Sequence, residues 1–207
     1  MSLFSKDVPA EVATRVPPGN RLVKTWPVLH YGPIPAFDGT NWDLEVKGLV
    51  ADPFTLTYGE LRDLPTVTVD ADMHCVTGWT TLDNTWAGVA FRTLLERAHP
   101  APDATWVIAH CAYGYTSNLS LAAMEDDDVL LAWRNHGEDL TPEHGWPLRL
   151  VVPKRYAWKS AKWLTGLEFT DTNRRGFWEV RGYHVHADPW AEERYAHQEA
   201  SRAELEP

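Results

Sequence analysis

The stretch Asp72-Met73-His74-Cys75-Val76-Thr77-Gly78-Trp79-Thr80 carries a strand pattern into a turn. From Thr66 to Met73, just before the turn, polar and apolar residues alternate. Alternation with a period of two predicts a half-buried β-strand. Cys75 has the apolar parity of this strand, so we expect its thiol to point inward where the strand ends. A thiol in this place suits a metal ligand, a nucleophile or a core residue, because free Cys is among the most buried residue types.

Strand patterns outnumber helix patterns over the rest of the chain. Two short helices are predicted: one begins at Thr57, whose spacing to Glu60 is that of a capping box, and the other spans 91–98. Further strands are predicted over 42–48, 105–111, 129–133, 148–152 and 163–169. Because strands and helices do not alternate regularly, the pattern predicts an α+β fold with mixed or antiparallel sheets and short helices.

The same patterns predict one domain over residues 26–195. Residues 1–25 are polar and contain Pro17-Pro18-Gly19-Asn20, so we expect an extended N-terminal arm, and residues 196–207 form a charged C-terminal tail. Between residues 26 and 35, three prolines and a glycine exclude helix and central strand. A long loop of this kind either lines a site or serves as a surface connector.

Composition excludes several classes of protein. The two cysteines lie 36 positions apart and form neither a disulfide framework nor a CxxC zinc motif. A net charge of −10 argues against nucleic-acid binding. No run approaches the roughly 18 apolar residues that span a bilayer, so no membrane segment is predicted. The N-terminus has neither an apolar signal region nor a twin arginine, and we therefore expect a cytoplasmic protein. Eleven Trp suit a β-rich protein with large clefts.

Positive charge is concentrated in one segment. Residues 149–181 contain eight Lys or Arg and three acids, a net charge of +5, so the remainder of the chain carries −15. The segment either holds an anionic ligand or forms a solvated basic face. Arg149 interrupts an apolar strand, where a buried charge needs an anionic ligand or a carboxylate as its partner.

Three further arrangements suggest chemistry. Lys159 and Lys162 flank the small pair Ser160-Ala161, which lets a backbone approach an anion closely, although this is not a P-loop. His184 and His186 would share one face of a strand and could form a metal pair, but no third ligand is evident nearby. A nucleophilic pair of Cys75 with a distant His is the third arrangement.

Six motifs, taken together, resemble the sulfite oxidase-like family of molybdopterin-dependent oxidoreductases in a short form with the molybdenum domain alone. They are VLHYGP at 28–33, HCVTGW at 74–79, GYTSNL at 114–119, DDDVLLA at 126–132, EHGWPLRLVVP at 143–153 and WKSAKWL at 158–164. Each motif is weak alone, but their shared order is specific.

The resemblance implies a sheet-rich core that holds molybdenum through a pyranopterin dithiolene and one cysteine thiolate. Cys75 would be that ligand, which suits a soft sulfur donor. Trp79, Tyr113 and Tyr115 would line the approach, and we count Cys75, Tyr115 and Trp79 as the catalytic candidates. The remaining positions match cofactor contacts: His30, Tyr31, His110, His144, Arg149, Lys159, Ser160, Ala161 and Lys162.

The expected reaction is a two-electron oxo transfer on a small S- or N-oxide, with an electron donor or acceptor that the sequence does not identify. Val76 to Thr80 provide no basic pair after the cysteine, and an oxyanion needs fixed positive charge, so sulfite is a poor substrate candidate. Because the resemblance covers the molybdenum domain alone, we do not expect the haem and dimerisation domains of sulfite oxidases in this chain. Two alternatives stay open: a molybdopterin carrier or catalytically degenerate homologue, and a metal-free cysteine hydrolase.

Overall fold

The structure is a computed structural model that describes residues 8–199. The described strands are β1 (Arg21–Leu22), β2 (Asp43–Gly48), β3 (Phe54–Thr57), β4 (Thr66–Cys75), β5 (Trp79–Ala90), β6 (Trp106–Cys111), β7 (Thr116–Ser120), β8 (Leu130–Asn135), β9 (Glu138–Asp139), β10 (Arg149–Val151) and β11 (Leu164–Thr170). The α-helices are α1 (Tyr58–Arg62), α2 (Phe91–Ala98) and α3 (Leu121–Met124). Single 3₁₀ turns span Ala10–Arg15, Ala112–Gly114, Pro142–His144, Glu179–Arg181 and Ala196–Gln198.

The strands form two mixed sheets. One sheet has the order β3-β2-β11-β6-β7, in which β11 runs parallel to β2 and the other neighbours are antiparallel. The other sheet has the order β1-β5-β8-β10, with β4 also paired to β5 and β9 to β8. The short strand β1 runs parallel to the start of β5. These two sheets with few short helices confirm the predicted α+β class.

The centre of the six-stranded sheet, at β8, is buried on both faces. Leu131 and Trp133 of β8 pack in a large core that also contains residues of the five-stranded sheet, so this core lies between the sheets. Leu130 and Ala132, which alternate with them, pack in a second cluster with Cys75. Burial on both faces explains why β8 reads as a continuous apolar run rather than as an alternating strand.

Both predicted helices are present. At the start of α1 the Thr57 hydroxyl accepts from the Glu60 backbone N–H, and the Glu60 carboxylate accepts from the Thr57 backbone, which completes the capping box. In α2, Phe91, Leu94 and Ala98 are buried. The helix ends at His99, which has the left-handed conformation that terminates many helices.

Several strands of the fold differ from the sequence-based expectations. The short strands β1, β3, β7 and β9 were not predicted. The longest strand, β5, was not predicted either, because Asp83, Asn84 and Gly88 are residues typical of turns. The predicted strand at His184 and His186 is wrong: residues 184–187 form no strand, because the backbone N–H groups of His186 and Ala187 both donate to the His184 ring.

The terminal segments are described only in part. Within the predicted arm, residues 10–15 form a 3₁₀ turn and β1 joins the sheet. Within the predicted tail, residues 196–198 form a 3₁₀ turn. Residues 1–7 of the arm and 200–207 of the tail lie outside the described residues. Over 8–199, no helix has the length and apolar character needed to cross a membrane.

Candidate active site

Cys75 ends β4 at a three-residue hairpin turn into β5. The Gly78 N–H donates to the Cys75 carbonyl at 3.0 Å, and Gly78 has a φ of +88°, as this hairpin type requires. The strand alternation places Met73 and Cys75 in the same buried cluster, as predicted from their parity. The Thr77 hydroxyl donates to the Cys75 sulfur at 3.2 Å, and burial raises the pKa of the Cys75 thiol.

The Cys75 thiol opens into a cavity of about 320 Å³. Its walls come from the loop between β1 and β2, from the β4–β5 turn, and from the segments around β10 and 157–163. The lining residues are Trp26, Pro27, Leu29, His30, Tyr31, Met73, Cys75, Val76, Thr77, Trp79, Tyr115, His144, Arg149, Ala157, Trp158, Ser160, Ala161, Lys162, Trp163, Trp178 and Tyr183. The volume is within the range of small-molecule and cofactor sites.

Arg149 forms the centre of the cationic part of the wall. Its guanidinium donates to the carbonyls of His144 and Ser160 at 3.0 and 2.8 Å. It also lies over the rings of Trp26 and Trp86, at 5.1 and 5.3 Å from their centroids. Arg149 is 4% exposed, and these contacts are with neutral groups, so no carboxylate within residues 8–199 neutralises its charge.

Lys162 and His144 extend this wall. The Lys162 ammonium donates to the Glu143 carbonyl at 2.7 Å. The His144 ring stacks on Trp26 at 4.5 Å, and its Nε2 atom is buried with no hydrogen-bond partner in the described part of the chain. Burial lowers the pKa of His144, of Arg149 to about 9 and of Lys162 to about 7.

Tyr115 and Trp158 complete the cavity wall. The Tyr115 hydroxyl donates to the Trp158 carbonyl at 2.9 Å, and burial raises the pKa of this phenol well above its usual value. The Trp158 indole donates to Glu179 at 2.8 Å, and Lys159 pairs with the same carboxylate at 2.6 Å. The Lys159–Glu179 pair therefore lies outside the cavity and contacts its wall through Trp158. The Lys159 ammonium also donates to Asn118.

Ten of the predicted site residues line this one cavity: Cys75, Trp79, Tyr115, His30, Tyr31, His144, Arg149, Ser160, Ala161 and Lys162. His30 lies edge-on to Trp163 at 5.4 Å and Tyr31 packs on Phe177 at 4.4 Å, so the predicted loop reaches the mouth. The Ser160 hydroxyl accepts from the Val152 N–H at 2.9 Å. Their contacts with a cofactor stay predictions.

Three predicted residues do not line the cavity. His110 lies on the face of β6 opposite to Ala109 and Cys111, and its ring binds Glu168 at 2.8 Å. Lys159 is held by Glu179 and Asn118 as described above. Tyr113 is 57% exposed on a 3₁₀ turn. The sequence-based expectation placed these three residues at the cofactor or on its approach, whereas the fold places them outside the cavity lining.

The basic segment also separates into two parts. Arg149 and Lys162 line the cavity. Several of the other cations pair with acids elsewhere: Lys154 with Asp126, Lys159 with Glu179, Arg174 with Glu168 and Arg175 with Glu199. Of the four remaining cations, Arg149 and Lys162 line the cavity, whereas Arg155 and Arg181 lie outside it and donate to backbone carbonyls.

Other sequence hypotheses receive no support from the geometry. His184 and His186 have ring centroids 5.9 Å apart, and within residues 8–199 no group of three metal-binding side chains is present.

Five aromatic wall residues were not predicted: Trp26, Trp158, Trp163, Trp178 and Tyr183. The high Trp content was the available signal for them, but it does not tell which Trp lines a cleft.

The donor set fits an anionic, metal-bound cofactor. Within the described chain, the cavity wall contains a thiol, a guanidinium, an ammonium and two imidazoles, but no carboxylate. The indole N–H of Trp79 and the Nε2 of His144 are buried and unpaired there, so a ligand with oxygen or nitrogen atoms would satisfy them. A thiolate suits a soft metal, and the buried cations suit a phosphate-bearing pterin.

Comparisons with known proteins agree with this geometry. The model of the family described as "Oxidoreductase molybdopterin binding domain" matches residues 31–178. The "Uncharacterized oxidoreductase YuiH" of Bacillus subtilis (strain 168) is 45% identical over 193 residues, which cover 93% of this chain and 98% of YuiH.

Two longer proteins match in part. The protein-methionine-sulfoxide reductase catalytic subunit MsrP of Campylobacter jejuni subsp. jejuni is 28% identical over 69% of this chain and 54% of its own length. The crystal structure of the sulfane dehydrogenase SoxCD from Paracoccus pantotrophus superposes with a TM-score of 0.65 and 25% identity, over 74% of this chain and 43% of that chain. The match over most of the chain establishes that this protein is a member of the sulfite oxidase-like oxidoreductase family with a molybdopterin-binding domain.

Proposed function

We propose that the chain catalyses a two-electron oxygen-atom transfer on a small sulfur or nitrogen oxide, with molybdenum held by a pyranopterin dithiolene and by Cys75. The observation that supports this most strongly is that the Cys75 thiol lines the same cavity as Arg149 and Lys162. Within the described residues, no carboxylate lines this cavity. The thiol would bind the metal, and the two cations would bind anionic parts of the cofactor. The name of the MsrP relative supports a sulfoxide as the substrate class.

When bound, the molybdenum cofactor supplies two-electron redox chemistry that no protein side chain provides. The overall conversion would be R₂SO + 2H⁺ + 2e⁻ → R₂S + H₂O, with the electrons from a separate carrier. The aromatic residues of the mouth, such as Trp26 and Trp163, would exclude water around the reacting oxygen. The Trp79 indole would donate a hydrogen bond to an oxide oxygen, because its N–H has no other partner in the described chain.

A neutral oxide fits the wall better than sulfite does. The residues after Cys75 are apolar or uncharged as far as Thr80, so the cavity offers no basic pair beside the sulfur. The cations Arg149 and Lys162 come from other segments and are proposed to bind the cofactor.

A metal-free cysteine hydrolase has less support. Such an enzyme needs an activated thiolate with a base in hydrogen-bond contact. Here burial raises the pKa of Cys75, and the side chain that contacts its sulfur is the hydroxyl of Thr77.

The test is turnover by protein purified from a host that makes molybdopterin. Under anaerobic conditions, oxidation of a reduced viologen dye is followed after addition of dimethyl sulfoxide, methionine sulfoxide or trimethylamine N-oxide. We expect Cys75→Ser to lose roughly 100-fold or more of the rate with at least one oxide. Cys111→Ala is the control, since Cys111 is the other free thiol and is buried in the core between the sheets.

Two results would contradict the proposal. Full turnover by Cys75→Ser would exclude the thiolate role. A protein that carries molybdenum and pterin but oxidises the dye with none of the oxides would instead indicate a carrier.

A further inference from the structure

The turn that carries Cys75 is held by residues from both ends of the described chain. We call residues 75–79 the Cys75 turn. The Asn20 side-chain amide donates to the carbonyls of Cys75 and Trp79, at 3.3 and 2.9 Å, and to the Thr80 hydroxyl at 3.1 Å. One side chain of the N-terminal segment thus bridges both strands of the hairpin at the point where Cys75 lies.

Arg194 holds the same turn from the C-terminal side. Its Nη1 donates to the Val76 carbonyl at 2.6 Å. Its Nη2 donates to the Pro18 carbonyl at 2.9 Å and to the Asn20 side-chain oxygen at 3.2 Å. A single guanidinium therefore connects the Cys75 turn, the N-terminal segment and the C-terminal segment.

Arg194 is itself fixed in place. Its guanidinium lies over the buried ring of Tyr156 at 5.0 Å, and its side chain is only 15% exposed. Its backbone N–H donates to the Gln198 side chain at 2.9 Å, and its carbonyl accepts from His184 at 3.2 Å. Because these contacts restrain Arg194, its guanidinium holds the Val76 carbonyl in a defined position.

We propose that Asn20 and Arg194 are positioning residues, which hold the Cys75 turn in the conformation that presents the thiol to the cavity. This inference rests on the proposed function, in which Cys75 binds the metal. Neither residue lies within the segment matched by the family model, residues 31–178, so the match assigns them no role.

The physical reason lies in the backbone groups of the turn. The Cys75 carbonyl accepts from Gly78 within the hairpin, whereas the carbonyls of Val76 and Gly78 accept from residues outside it. Arg194 supplies the donor for Val76, and the Arg21 N–H donates to Gly78 at 3.1 Å. Removal of Asn20 or Arg194 would leave the turn held by fewer bonds, so the thiol would sample more orientations.

The first experiment measures the reactivity of Cys75 in full-length, cofactor-free protein with a Cys111→Ala background. The rate of alkylation by iodoacetamide is measured over a range of pH for wild type, Asn20→Ala, Arg194→Gln and Arg194→Lys. The rates are compared at the high-pH plateau, where the Cys75 thiol is ionised in every variant, because the Arg194 charge also acts on this thiol. We expect a rate increase of roughly fivefold for Asn20→Ala and for Arg194→Gln, because each loses bonds that restrain the turn. Arg194→Lys keeps a charged donor and is expected to fall between wild type and Arg194→Gln.

Arg62→Gln is the matched control. Like Arg194, Arg62 lies over an aromatic ring, that of Trp133 at 4.8 Å, and donates to an oxygen, the Tyr58 hydroxyl at 2.9 Å. Its hydrogen bonds do not involve the Cys75 turn, so the alkylation rate should equal that of wild type. Equal rates in Asn20→Ala, Arg194→Lys and wild type would overturn the proposal.

The second experiment uses the molybdenum-loaded protein. A positioning role predicts that Asn20→Ala and Arg194→Lys retain molybdenum but change the Mo(V) electron paramagnetic resonance spectrum, which depends on the orientation of the sulfur ligand. A purely structural tie between the termini would lower Tm and leave this spectrum unchanged, which would also overturn the proposal. If Cys75→Ser keeps the wild-type spectrum, the proposed function fails, while the alkylation rates still test the restraint of the turn.

Discussion

At the scale of single residues, the site contains two buried cations that form no ion pair with a carboxylate in the described part of the chain. Arg149 and Lys162 face the cavity, and burial lowers the pKa of both. Removing such a charge often does not destabilise a protein, since the desolvation of the ion opposes its attraction to partners. Their burial at this wall therefore supports the proposal that they bind anionic parts of a cofactor.

The buried charge of Lys162 can be tested through the pH dependence of the unfolding free energy. In the unfolded chain the ammonium keeps its proton up to a pKa of 10.5, whereas the folded chain keeps it only up to about 7. The folded state is therefore penalised below pH 7, and it gains stability as the pH rises from about 7 toward 10.5. Lys162→Met removes this contribution. We expect cofactor-free Lys162→Met to exceed wild type in unfolding free energy by roughly 1–3 kcal/mol below pH 7, and the difference to shrink above it.

Urea unfolding of both proteins on either side of pH 7 measures this difference. Lys154→Met serves as the control, because Lys154 is exposed and pairs with Asp126 on the surface. A difference between wild type and Lys162→Met that does not change with pH would show that Lys162 is not the buried cation that the fold indicates.

At the scale of elements, the hairpin of β4 and β5 carries the site, and only half of it was predictable. β4 alternates cleanly, so its span and the direction of Cys75 follow from the sequence. β5 contains Asp83 in a left-handed conformation at a β-bulge, opposite a regular stretch of β4. A second register shift lies between Ala87 and Gly88, where β8 contributes the extra residue, Trp133. Bulges use residues that are otherwise typical of turns, so the sequence of β5 does not show the period of a strand.

Gly88 is needed for the close approach of β5 to β8. A Cβ atom added at Gly88 would lie 2.0 Å from the Leu131 carbonyl oxygen and 2.7 Å from the Ala132 Cα, both of them backbone atoms. Gly88→Ala should therefore destabilise the protein by roughly 2–3 kcal/mol, since the strand must move away from its partner. Thermal unfolding checks this value.

Gly59→Ala is the comparison for Gly88→Ala. Gly59 lies in α1, and a Cβ added there meets no atom within 4 Å. This substitution should stabilise the protein by up to about 1 kcal/mol, because alanine favours helix. If the two alanine variants unfolded at the same temperature, the close packing at Gly88 would be refuted.

At the scale of the whole molecule, the cavity collects residues from segments as distant as Trp26 and Tyr183. Periodicity along the chain does not report such proximity, so the residues alone left several hypotheses open for Cys75. The resemblance to a family named ten residues that line this one cavity, and their roles at a cofactor stay predictions. It placed His110 and Lys159 at the cofactor as well, although strand parity turns His110 to the outer face and Glu179 holds Lys159 behind the wall.

The proposed function requires Cys75 to be a ligand of molybdenum, and X-ray absorption at the molybdenum edge tests this most directly. The samples are wild type, Cys75→Ser and Cys111→Ala, purified from the same molybdopterin-producing host. We predict one sulfur ligand fewer in Cys75→Ser than in wild type, and an unchanged number in Cys111→Ala. The same number of sulfur ligands in Cys75→Ser and wild type would contradict the account.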